Sequence, residues 1–222
     1  MQAAADLLFT TMQNKGKIFA FGSSHASMIT QELYYRTGGL AIVNPIFAPG
    51  LTLEVAPVTL TSQIERLPGY GQLLAEQYHL KAGDALLIHS VSGRNSVSID
   101  LALAAAELGV KTIALTSLAY SQGVTSRHPS GKLLYELCDI VIDNCGCYGD
   151  AAMEVEGFVE KVAPTSTVIG AAIVNGITLL FLERCLAEGI QPPILISGNR
   201  DGGDEYNAAV FRTHKEEIMY KL

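Results

Sequence analysis

Residues 85–95, ALLIHSVSGRN, pass from an unbroken apolar run straight into a turn of small polar residues. Ala85, Leu86, Leu87 and Ile88 have the length and continuity of a parallel strand covered on both faces. Where the run stops, Ser90, Ser92 and Asn95 offer short hydroxyl and amide groups, and Gly93 lets the backbone turn and come close to a ligand. Val97–Leu108 then carries helical spacing, which aims the free N–H groups and positive dipole end of a helix start at whatever sits above the strand. An anion is the natural guest. The same turn would also serve as a plain cap, with Ser92 or Asn95 accepting a helix N–H and nothing bound. No Gly-Lys-Ser/Thr ending follows, which excludes a Walker-type phosphate loop. Gly22 and Gly93 each stand without the further glycines of a dinucleotide fingerprint. Hydroxyls in place of lysine favour a phosphate monoester held by neutral donors.

Upstream, Met1–Met12 reads as an amphipathic helix and Lys17–Phe21 (KIFAF) as a first buried strand, with Gly22-Ser23-Ser24-His25 as a second small-polar turn at its carboxyl end. A helix is predicted over Ser27–Tyr35, a strand over Leu40–Val43 with Ile46-Phe47, and a helix over Gly69–Tyr78. Pro49–Leu67 is the least periodic part of this half and reads as an excursion above the sheet. Within it Glu65 is either solvated or paired, or reaches a site. Downstream, Lys111–Thr116 (KTIALT) and Ile140–Asp143 (IVID) are further strands, joined by a polar loop over 117–130 and a short helix over Lys132–Leu137. Alternating strands and helices make an open α/β sheet, whose ligands sit at the carboxyl ends of strands where strand order reverses. Asn144–Asp150 reads as a turn and Ala163–Cys185 as a long apolar helix, either a buried central helix or a dimer face. Asp204 is placed to cap a last helix over Glu205–Met219 that carries His214.

The chain has 222 residues, 49% hydrophobic and 17% charged, which suits one domain over 1–222 with a full core. Formal net charge is −7 with no Lys/Arg run, arguing against nucleic acid and anionic membrane partners, so an anionic substrate must be caught locally. Without a basic-then-apolar leader, or an apolar stretch of about 18 residues free of polar breaks, the expected location is cytoplasmic. Cys145 and Cys147 form a C-x-C that lacks a second ligand pair, so reduced thiols and no metal are expected. No cofactor is expected either.

The turns GSSH and SVSGRN resemble those of the sugar isomerase (SIS) domain family. The likeness spans nearly the whole chain through GKIFAFGSSH, SGRNSVSIDLAL, ALTSLAYSQGVTSRHPSGKLLYELCDIVIDN, the APTST turn and SGNRDGGDEYN. Within the family it is most similar to a group of bacterial phosphoheptose-isomerase-like proteins. SVSGRN differs from the commoner S-x-S-G-x-T form in having Asn95 for Thr. The resemblance implies a three-layer α/β/α fold with a five-stranded parallel sheet, doubly wound as in flavodoxin. It also implies a homodimer or homotetramer with sites near subunit interfaces. Ser90, Ser92 and Asn95 would hold the phosphate of a phosphorylated sugar, and Ser23 and Ser24 would contact sugar or phosphate. Thr116, Ser117, Ser166 and Thr167 would line the same cleft.

Aldose–ketose isomerisation needs a group that moves a proton between C1 and C2 through an enediol, and usually an acid to open the ring. Glu32, on the helix after the first turn, is the first candidate base, and reads equally as a charge on an exposed helix face. His25, beside Ser24, is placed to donate to an oxyanion or merely to cap the turn. His128 follows a strand end and belongs either to this site or to a neighbouring subunit. His214 is a weaker candidate, and His79 and His89 read as structural. Isomerase is the favoured function. The alternatives are a phosphosugar lyase resembling the N-acetylmuramate 6-phosphate etherases, whose Ser-Thr turn is similar to Ser166-Thr167, and a module that senses a phosphosugar without turnover.

Overall fold

The apolar runs pair side by side. The computed structural model describes residues 1–221 and places β1 (Ile18–Gly22), β2 (Val43–Ile46), β3 (Ala85–His89), β4 (Lys111–Thr116) and β5 (Ile140–Asp143) in one sheet. Its order is β2-β1-β3-β4-β5, and every pair is parallel. β1 faces β3 in register from Ile18↔Ala85 to Gly22↔His89, which brings the two polar turns out at the same level. This is the predicted five-stranded, doubly wound fold.

Alternation along the central strands explains the three layers. Ile18, Ala20, Ala85, Leu87, Ile113 and Leu115 face one apolar cluster, while Phe19, Phe21, Leu86, Ile88 and Ala114 face the other. The first cluster is closed by α1 (Gln2–Gln13), α2 (Ser27–Leu33), α7 (Ser166–Ala187) and α8 (Gly203–Thr213). The second is closed by α4 (Tyr70–Gln77) and α5 (Ser96–Glu107), with the short α3 (Leu60–Ile64) beside it and α6 (Leu118–Ser121) following β4. Each fully buried Phe, Leu or Ile in these layers stabilises the fold by about 1.5–3 kcal/mol relative to exposure.

Several elements differ from the sequence expectation. The second strand lies at Val43–Ile46 because Leu40 and Ala41 instead pair with residues 193–195. Residues 132–137 form only a 3-10 turn, Leu134–Glu136. The last helix is shorter, its N-cap is Gly202, and Asp204 falls in its first turn. Residues 151–162, for which the sequence predicts no element, and the first two residues of the helix expected over Ala163–Cys185 form a hairpin of β6 (Ala151–Val155) and β7 (Phe158–Pro164), and α7 starts only after it. α7 is long and apolar enough to cross a membrane. It turns Gly170, Val174, Ile177, Phe181 and Cys185 into the core and leaves Val168, Ile169, Leu179 and Leu186 exposed, so it is half buried rather than central.

Candidate functional site

Strand order reverses between β1 and β3, and a cavity of about 410 Å³ opens there at the carboxyl ends of both strands. The β1 side is built on a close approach. A Cβ on Gly22 would lie 2.3 Å from the Ala26 carbonyl, so only glycine lets the chain fold straight back into the 3-10 turn Ser24–Ala26. The Ser24 N–H donates to the Leu51 carbonyl at 2.7 Å, and Ser27 Oγ donates to the Ser24 carbonyl at 2.7 Å. Ser23, Ser24 and His25 thereby line the cavity.

The β3 side supplies Ser90, Ser92 and Asn95. Gly93 sits at φ 59°, where Cβ-bearing residues are strained, and its carbonyl accepts from the Leu134 N–H at 2.9 Å. Asn95 occupies the N-cap of α5 but makes no capping bond; its Oδ1 accepts instead from Arg127 Nη1 at 2.9 Å. Among the described residues no acceptor is found for the N–H groups of Val91 through Ser96. The plain-cap reading therefore does not hold. The loop presents a run of open amides in line with the positive end of a 12-residue helix, the arrangement that captures anions.

The start of α7 is different. Ser166 and Thr167 line the cavity, but Asp150 Oδ1 accepts from the N–H groups of Ser166 (2.8 Å) and Thr165 (3.2 Å), and its Oδ2 accepts from Ser166 Oγ (2.6 Å). This helix end already holds a carboxylate, whereas the amides of the β3 loop stay open. Between the two ends, Glu65 caps the C-terminus of α3 and reaches the cavity, accepting a hydrogen bond from Ser23 Oγ at 3.1 Å. Burial pushes its carboxyl pKa upward, against the opposing pull of Ser23, Arg66 and Arg127. Tyr120 closes another wall, its ring 4.9 Å from that of Tyr148.

Four expected residues stand elsewhere. Glu32 is ion-paired with Arg36 and accepts from Asn175 Nδ2 at 2.8 Å, outside the cavity lining. His128 Nε2 pairs with Asp100 Oδ1 at 2.8 Å and its Nδ1 with Ser130 Oγ at 2.7 Å, also away from the lining. Thr116 and Ser117 are fully buried. The Thr116 hydroxyl donates to the Val91 carbonyl (2.9 Å) and so buttresses the β3 loop from below, while the Ser117 hydroxyl donates to the Gly146 carbonyl (2.6 Å) in the turn after β5. His214 ends α8. His89 lies buried at the end of β3, with Nδ1 3.3 Å from the Ala26 carbonyl, and desolvation pulls its pKa down to about 4, leaving it neutral. Sequence reasoning left Glu65 open and gave no role to Tyr120 or Asp150. The one local signal for Asp150 is its place at the end of the Gly-containing turn over 144–150.

Residues 1–117 match the family model of the SIS domain. A UPF0309 protein of Shouchella clausii is 49% identical over 217 residues, 98% of this chain and 88% of its own length. A UPF0309 protein of Oceanobacillus iheyensis is 49% identical over 218 residues, 98% of this chain and 89% of its own. Among solved structures, a Bacteroides fragilis protein assigned as a phosphosugar isomerase involved in capsule formation superposes with a TM-score of 0.52 at 18% identity, over 83% of this chain and 78% of that one. At that identity the likeness speaks for the fold.

Proposed function

Since the chain belongs to the SIS-domain family and groups with the UPF0309 proteins, we propose that it binds a phosphorylated sugar between β1 and β3 and interconverts its aldose and ketose forms. The phosphate is taken by the open amides of residues 91–96 with the Ser90 and Ser92 hydroxyls, and the sugar extends toward Ser23, His25 and Ser166. Fold alone does not fix a reaction, so the reading rests on the site. The observation that carries it is Glu65: a half-buried carboxylate with a raised pKa, held by a single hydroxyl in the same cavity as an anion cradle.

Burial makes a carboxylate a stronger base, which suits proton abstraction next to a carbonyl. In the aldose-to-ketose direction Glu65 removes the C2 proton, the electron pair moves into a C1–C2 enediol, the O2 proton passes to O1, and protonated Glu65 returns its proton to C1. His25 stands exposed at the same opening, placed to serve ring opening.

The test is exchange. Incubated in D2O with a panel of hexose and heptose monophosphates, the protein is expected to incorporate deuterium at C1 or C2 of one of them, read by NMR. Glu65→Gln is expected to lose exchange while the same sugar still raises its melting temperature. Exchange by neither protein on any sugar, or undiminished exchange in Glu65→Gln, overturns the assignment.

A further inference from the structure

The rim of the same cavity carries a charge that the phosphate cradle does not use. Arg94 belongs to the β3 loop, and its carbonyl accepts from the Arg127 N–H at 2.9 Å. Ser96 Oγ donates to the Arg127 carbonyl at 3.3 Å, and the Arg127 guanidinium reaches Asn95 at 2.9 Å. Arg94 is fixed as well, donating from Nε to the Thr125 carbonyl at 3.0 Å and from Nη2 to Thr125 Oγ1 at 3.4 Å. Arg66 follows Glu65, whose carbonyl accepts from the Val97 N–H at 3.2 Å, and its charge acts on both Arg127 and Glu65.

Among the described residues none of the three forms an ion pair. Arg127 is repelled by both Arg66 and Arg94, and Glu65 offsets this only in part. Clustered cations in a chain of net charge −7 run against their surroundings unless an anion joins them. None of the three lines the cavity itself; their neighbours Glu65 and Asn95 do. Arg94 belongs to the cradle loop itself, the Arg127 guanidinium bonds the Asn95 side chain, and Arg66 adjoins Glu65 in the chain, so all three flank the cradle from outside its lining.

We infer that Arg66, Arg94 and Arg127 receive a second anionic group, so that the ligand is a phosphosugar bearing a further carboxylate or phosphate. This rests on the phosphosugar reading above. Planar guanidiniums suit either group through paired N–H donors, and an anion at the rim relieves the repulsion within the cluster.

Calorimetric titration with matched ligands tests the assignment: fructose 6-phosphate against fructose 1,6-bisphosphate, and glucose 6-phosphate against 6-phosphogluconate. At least one doubly anionic ligand is expected to bind about tenfold or more tighter than its monophosphate partner, the gain from one or two charge-assisted hydrogen bonds. In the double variant Arg66→Gln/Arg127→Gln that ratio is expected to collapse toward unity. The bisphosphate and gluconate arms separate phosphate from carboxylate. Equal affinity within both pairs, or a preference that survives in the double variant, overturns the second-anion site alone. No binding of any probe, monophosphates included, overturns the phosphosugar reading together with it.

Discussion

Glu65 is held by one hydroxyl in surroundings that disfavour its charge, and the sign of its effect on stability follows. Its pKa lies above the usual 4.5 in the folded chain, so between 4.5 and the raised value the native state binds more protons than the unfolded one. Stability contributed by this group is fully present below 4.5 and is lost as pH rises through the folded pKa. Glu65→Gln, which keeps the shape and an acceptor for Ser23, is therefore expected to raise the melting temperature at pH 7 and to match the parent at pH 4. A variant less stable at pH 7 would mean that Ser23 and the nearby arginines outweigh burial. The same residue shows where sequence reading stops. Ser90, Ser92 and Asn95 are legible because turn chemistry is local: hydroxyls and a glycine between an apolar run and a helix. Glu65 reaches the cavity only because its carbonyl is hydrogen-bonded by Val97, a contact across 32 positions that no spacing encodes. Thr116 and Ser117 mislead for the opposite reason, since a hydroxyl at a strand end looks the same in sequence whether it faces a ligand or bonds a carbonyl beneath it.

The strands were the most legible elements, because a sheet covered on both faces demands continuous apolar runs, and KTIALT and IVID match β4 and β5 to the residue. The β6–β7 hairpin was not legible. Glu154, Glu156, Glu160 and Lys161 dilute its alternation, and neither strand packs into the core that reveals the others. The two helix starts facing the cavity differ in occupancy, and this has a measurable consequence. Asp150 satisfies the first amides of α7, whereas those of α5 stay open. Asp150→Ala removes a cap worth about 0.5–2 kcal/mol and is expected to lower the melting temperature. It also takes a negative charge out of the cavity and frees two amides, so inorganic phosphate is expected to bind the variant more tightly than the parent in calorimetry. Weaker phosphate binding would show that Asp150 supports the anion site and does not compete with it.

At the scale of the molecule, the hairpin is the feature the single chain leaves unresolved. A two-stranded ribbon is marginal in water unless something covers it. Here Met153, Val155, Phe158 and Val162 are exposed and Val159 is 96% exposed. Its two ends are nonetheless fixed at the cavity, by Asp150 on one side and by Pro164 and Ser166 on the other. The exposed face of α7, with Val168, Ile169 and Leu179, continues directly from β7. An apolar arm rooted at the cavity and running into an apolar helix face is suited to a second copy of the same chain, as the resemblance to oligomeric SIS domains implies, with symmetric copies covering each other's arms. Light scattering after size exclusion is expected to give a mass of two or four chains. Phe158→Asp with Val159→Asp is expected to shift it to that of one chain while the circular dichroism of the helices is retained. A parent that runs as a monomer at micromolar concentration would leave the ribbon to another role. An oligomer that survives the double substitution would place the contact on α7 alone.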